Sequence, residues 1–158
     1  MMLHVLLIVL HATLATIAFG IGCSLLAVYP RSATSPRFIA FYASMIVAVA
    51  ALVAVVVVDW FGLAIVQRVV FGGLCLLGLY LLFRTERARS ALVLHRDRWR
   101  ERFAAYIGFV LISLFDAFCI VFAIDLHFSP LVTIPIALLA VGVGILAIRR
   151  VTRRVARY

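Results

Sequence analysis

Five runs of about twenty apolar residues, separated by short charged connections, dominate this 158-residue sequence. They lie at about Leu3 to Val28, Phe38 to Val58, Phe61 to Phe83, Phe103 to Ile124 and Leu131 to Ile148. A helix needs about 20 apolar residues to cross the hydrocarbon of a bilayer. In that solvent each backbone N–H and C=O must be satisfied within the protein, which leaves helices or closed barrels. These runs are too long for barrel strands. The chain is 67% apolar and 13% charged, against about 45–50% and about 25% in soluble domains. A chain this short has too much surface to hide that excess from water. The expectation is a single all-α domain over residues 1–158, a polytopic transmembrane bundle of five spans.

The charges set its orientation. All fifteen basic residues are Arg, and the formal net charge is +9. Arg31 and Arg37 flank the first connection and Asp59 stands in the second. Seven Arg between Arg84 and Arg102 fill the third, and Asp125 stands in the fourth. The tail carries Arg149, Arg150, Arg153, Arg154 and Arg157. Arg-rich connections stay cytoplasmic. Five spans then place the N-terminus outside and the C-terminus in the cytoplasm, in a bacterial plasma (inner) membrane. Arg between apolar spans points to anionic lipid rather than nucleic acid as the partner. The N-terminus has no basic residue ahead of its apolar run, so an uncleaved first helix is expected.

Residues 84–103 have their own pattern. Ala88, Leu92, His95, Trp99 and Phe103 recur at helical spacing between Arg residues. This predicts an amphipathic cytoplasmic helix, or an extension of the fourth span. Arg84, Arg87, Arg89, Arg96, Arg98, Trp99 and Arg100 are its expected lipid-headgroup contacts.

Ionisable residues inside spans are costly, about 2.5–3.5 kcal/mol for a central Arg or Asp on insertion scales, and mark functional sites. His11, Gln67, Arg68 and Asp116 fall within about 10–15 Å of the outer ends of their helices, at 1.5 Å per residue. They are expected to form one intramembrane polar site, with Arg68 paired to Asp116. His4, Asp59, Asp125 and His127 would ring it on the outside. A buried pair can equally serve only to lock two helices in register. Small-residue stripes, such as Ala40, Ser44, Ala48 and Ala51, suit close packing between membrane helices.

Catalytic signatures such as His-Glu-x-x-His, Gly-x-Ser-x-Gly and the phosphate loop are missing. Cys23, Cys75 and Cys119 lie in separate spans, without the spacing of a zinc site. The leading expectation is a non-catalytic subunit or scaffold, a homo-oligomer or the companion of another membrane subunit. One alternative is a proton or small-solute transporter or channel using His11, Arg68 and Asp116. The first helix carries Leu10-His11 and then Phe19-Gly20. Over some twenty residues it resembles the opening helix of CopD-type copper-associated proteins and HemJ-type protoporphyrinogen oxidases, which tend to have Trp at the position of Phe19. That resemblance implies a second alternative, a redox protein with His11 as a haem or metal ligand.

Overall fold

The computed structural model describes residues 2–30, 32–94 and 98–125, together with Leu139, Gly142 and residues 144–146. Four helices carry the fold: α1 (Met2–Ala27), α2 (Pro36–Asp59), α3 (Ile65–Leu94) and α4 (Trp99–Asp125). No strand occurs among the described residues. All four helices are long and apolar enough to cross a membrane. The expected fifth span and the Arg-rich tail lie outside the described residues, apart from the few positions just named.

Local chemistry sets the helix ends. Pro30 follows the end of α1 and has no N–H with which to continue it. Ser35 then caps α2 by accepting a bond from the Phe38 N–H at 3.3 Å, with Pro36 in the first helical turn, where its missing N–H costs nothing. A tight turn closes α2, with Gly62 N–H donating to the Asp59 carbonyl at 2.9 Å. At the start of α3 the Gln67 side chain reaches back to accept from the Ala64 N–H at 3.0 Å. This is the N3-to-N-cap half of a capping box.

Residues 84–103 do not form one helix. Arg84–Leu94 continue α3 without a break, and Trp99–Phe103 open α4. No Gly or Pro interrupts this stretch, and its apolar stripe has a partner within the bundle. Ala88, Leu92 and Phe103 are fully buried in the common core.

The helices form a ring in which α1 and α3 each lie between α2 and α4. The core sits towards the Arg-rich end. Leu25 of α1, Phe38, Phe41 and Met45 of α2, Leu92 of α3 and Phe103 and Ile107 of α4 are buried there. Phe38 stands 6.2 Å from Phe103 and 6.4 Å from Phe41, ring centre to ring centre, and Tyr29 meets Phe103 edge-on at 6.1 Å. Such aromatic pairs add about 0.5–1.5 kcal/mol each beyond their burial. At the opposite end α1 buries no described side chain before Ala18, α3 none before Gly78 and α4 none after Leu111. Among the described residues α2 alone remains packed there, through Ala48, Val49, Ala51 and Val56. The described helices are closed at one end and open at the other.

Gly22 makes the closed end possible. A β-carbon there would stand 2.6 Å from Leu111 Cδ2 and 3.0 Å from Phe41 Cε2. Gly144 similarly rests on Ile112 of α4, where a β-carbon would meet Cδ1 at 2.7 Å. Overpacking a well-fitted core costs about 1–3 kcal/mol. Gly22→Val should therefore lower the unfolding midpoint in detergent. Gly20→Val should leave it almost unchanged, because no atom lies within 4 Å of a β-carbon at Gly20. Equal effects of the two substitutions would refute this packing.

Candidate functional site

At the open end α1 and α2 meet through a contact between His4 Nδ1 and the Asp59 carboxylate, both partly exposed. The connection after Asp59 is fastened by Arg68. Its Nε donates to the Leu63 carbonyl at 2.9 Å and its Nη2 to the Phe61 carbonyl at 3.3 Å. Its guanidinium also lies 5.8 Å from the Trp60 ring centre. A cation over an aromatic face is worth about 0.5–1 kcal/mol at an exposed position. Arg68 thus turns towards the end of its helix and serves the 60–64 connection.

The structure therefore does not bring Arg68 and Asp116 together. Neither does Gln67 join a network with them, because it caps α3. Asp116 is partly buried, and its Oδ1 is enclosed with no hydrogen-bond partner among the described residues. His11 bonds elsewhere, with Nδ1 lying 2.8 Å from the Ala48 carbonyl of α2. A carbonyl only accepts, so the Nδ1–H is the donor. His11 and Asp116 stand on neighbouring helices, whose approach is marked by Phe19 and Phe115 at 6.4 Å. Asp125 ends α4; its side chain, like His127, lies outside the described residues. Among the described residues no three His, Cys, Asp or Glu side chains converge where a metal ion could sit.

The Arg-rich end carries a second cluster. Arg89 binds Glu86 through Nε, at 2.8 and 2.9 Å to the two carboxylate oxygens. Arg98 lies 3.5 Å from Glu101. Arg98 also has a φ of 60°, a left-handed conformation immediately before α4. Arg84 takes a different environment. Its guanidinium stands 4.7 Å from the ring centres of both Tyr106 and Phe109 of α4, and its Nε is enclosed without a hydrogen-bond partner among the described residues. Arg87 stacks on Phe83 at 5.1 Å and Arg100 on Trp99 at 5.5 Å. Arg96 lies outside the described residues.

Between α3 and α4 at this end is a cavity of about 130 Å³, lined by Arg87, Ser90, Leu94, Trp99, Arg102 and Tyr106 among others. Ser90, Arg102 and Tyr106 were not among the sequence-derived candidates. The helical spacing of Arg87, Ser90 and Leu94, and of Trp99, Arg102 and Tyr106, places each set on one face. That spacing was the available signal.

The separation of Arg68 from Asp116 has a measurable consequence. Arg68→Gln should speed amide hydrogen exchange across residues 60–64, and Asp116→Asn should leave it unchanged. Loosening of this connection by Asp116→Asn would show that the two side chains are coupled after all. No protein-family model, curated protein or solved structure matches the chain.

Proposed function

We propose that this small membrane protein is a non-catalytic subunit that assembles through the open half of its bundle. The Asp116 side chain, whose Oδ1 is enclosed without a hydrogen-bond partner among the described residues, carries this reading. A buried polar group without a hydrogen bond costs about 1–3 kcal/mol. Asp116 is only partly buried, so a helix from a second copy or from another membrane subunit can bring a donor to the exposed part of its side chain and offset that cost. The surroundings suit such a helix. A β-carbon at Gly72 or Gly73 of α3 would meet nothing within 4 Å, and Leu76 and Leu79 are exposed. Small residues beside large apolar ones are what lets membrane helices approach closely. With the Arg-rich connections on the cytoplasmic side of a bacterial plasma membrane, the open half lies in the outer leaflet.

Two observations favour activities at the same place. His11, its Nδ1 held on the Ala48 carbonyl, stands on the helix next to that of Asp116, which puts two ionisable side chains on adjoining helices. This supports passage of protons or a small solute. Fixing Nδ1–H on a carbonyl is also how ligating histidines are oriented, with Nε2 towards the metal. It supports the haem or metal reading implied by the first-helix resemblance. A Soret band in protein made with ample iron, lost in His11→Phe, is the result that reading expects.

The subunit reading makes a paired prediction. In the isolated chain Asp116→Leu should raise the unfolding midpoint, because it removes an unsatisfied group. The same substitution should abolish the complex recovered from native membranes in lipid nanodiscs. A wild-type chain that stays monomeric in nanodiscs at every loading, and is recovered alone from native membranes, would contradict assembly. Proton flux in proteoliposomes that is present in the wild type and lost in Asp116→Asn would favour transport instead.

A further inference from the structure

We infer that the cavity between α3 and α4 at the Arg-rich end is a binding site for a phosphate group, supplied by the headgroup of an anionic phospholipid. It is separate from the open half of the bundle and does not depend on the assembly proposed there.

The cavity measures about 130 Å³, well above the roughly 10–15 Å³ that one water requires. Each helix gives it one cation and one hydroxyl: Arg87 and Ser90 from α3, Arg102 and Tyr106 from α4. None of the described residues lining it is acidic. The acids described nearby are engaged elsewhere, Glu86 with Arg89 and Glu101 with Arg98. Arg84 adds a third positive charge beside Tyr106, with no carboxylate partner among the described residues. The Ser90 hydroxyl donates to the Glu86 carbonyl at 3.1 Å, which leaves two guanidinium groups and the Tyr106 hydroxyl to match the charge and oxygens of a phosphate, planar guanidinium presenting paired N–H groups to them.

The position selects a lipid as the source. The apolar run of α3 ends at Phe83, and Arg87 to Leu94 span about 10 Å of helix beyond it. Arg87 lies about 6 Å of helix past Phe83 and Ser90 about 10 Å, so with a headgroup layer about 5–8 Å thick Arg87 lies within it and Ser90 at its water side. Leu94 and Trp99 line the end of the cavity farther from the apolar run. These features distinguish the site from the generic basic surface expected from the Arg count. Arg89 and Arg98 are excluded from it by their acids, while Ser90, Arg102 and Tyr106 belong to it.

The test titrates the detergent-solubilised full chain with phosphatidylglycerol, phosphatidylcholine or inorganic phosphate at constant ionic strength. Bound lipid is read by native mass spectrometry and the unfolding midpoint by a thermal ramp. One phosphatidylglycerol should be retained per chain in preference to phosphatidylcholine. Retention should fall about tenfold or more in the double variant Arg87→Gln/Arg102→Gln, from loss of charge-assisted bonds, and persist in Arg89→Gln. Protection by inorganic phosphate that is lost in the double variant would also support the phosphate site, and with no lipid retained it would assign the ligand to the aqueous phase. Equal lipid retention in wild type and double variant, or no protection by any phosphate, overturns the proposal. If the double variant does not fold, Trp60→Phe leaves Trp99 as the sole tryptophan. Brominated phosphatidylglycerol should then quench Trp99 with saturation at one lipid per chain, and Arg102→Gln should relieve it. Quenching no stronger than that by brominated phosphatidylcholine overturns the proposal by this second route.

Discussion

The close approach of α1 to α2 and α4 at Gly22 is the contact on which the rest of the bundle depends. Among lipid tails apolar side chains gain little by leaving the solvent, so helices associate through close packing and interhelical bonds. Gly22 has no side chain where Leu111 and Phe41 press in. This lets the Phe38, Phe41 and Phe103 rings gather beside it. Thr85, the polar side chain buried in this region, donates its hydroxyl to the Leu81 carbonyl at 2.9 Å and leaves no unsatisfied group. α3 extends past the apolar run because Ala88 and Leu92 continue the same core.

A bundle tied at one end has its polar residues distributed by that asymmetry. At the closed end each described acid has an arginine close by, Arg84, Arg87 and Arg100 lie over aromatic rings, and Arg102 lines the cavity. At the open end the polar groups are fastened one by one. Arg68 holds the 60–64 connection, Gln67 caps α3, and His11 bonds α2 through the Ala48 carbonyl. Asp116 is the exception. Its Oδ1 is enclosed with no hydrogen-bond partner among the described residues.

Much of this was legible in the sequence. The runs for α1, α2 and α4 fall within a few residues of the observed helices, because continuous apolarity over a membrane thickness leaves the backbone little choice. The end of α3 was less accessible, since an amphipathic stripe reads alike whether it faces lipid or another helix. The polar site was harder still. Depth was reckoned from a helix beginning at Phe61, whereas α3 begins at Ile65. Arg68 is therefore within one turn of the helix end, close enough to reach the connecting carbonyls. Gln67 three residues after Ala64 was a capping spacing in plain view, but the apolar run around it drew attention to depth instead. The His11 bond to Ala48 joins residues 37 apart, a register between helices that one sequence does not encode in any readable period.

The most direct test of the bundle's place in a membrane is side-specific labelling of single cysteines. Cys23, Cys75 and Cys119 are first replaced by Ser, and Ser32→Cys, Gly62→Cys and Arg98→Cys are introduced one at a time. A membrane-impermeant maleimide is then applied to sealed vesicles of known orientation. Four crossing helices, closed at the Arg-rich end, require positions 32 and 98 to react from one side and position 62 from the other. Labelling of all three positions from the same side would contradict that topology, and with it the assignment of the open and closed ends to opposite leaflets.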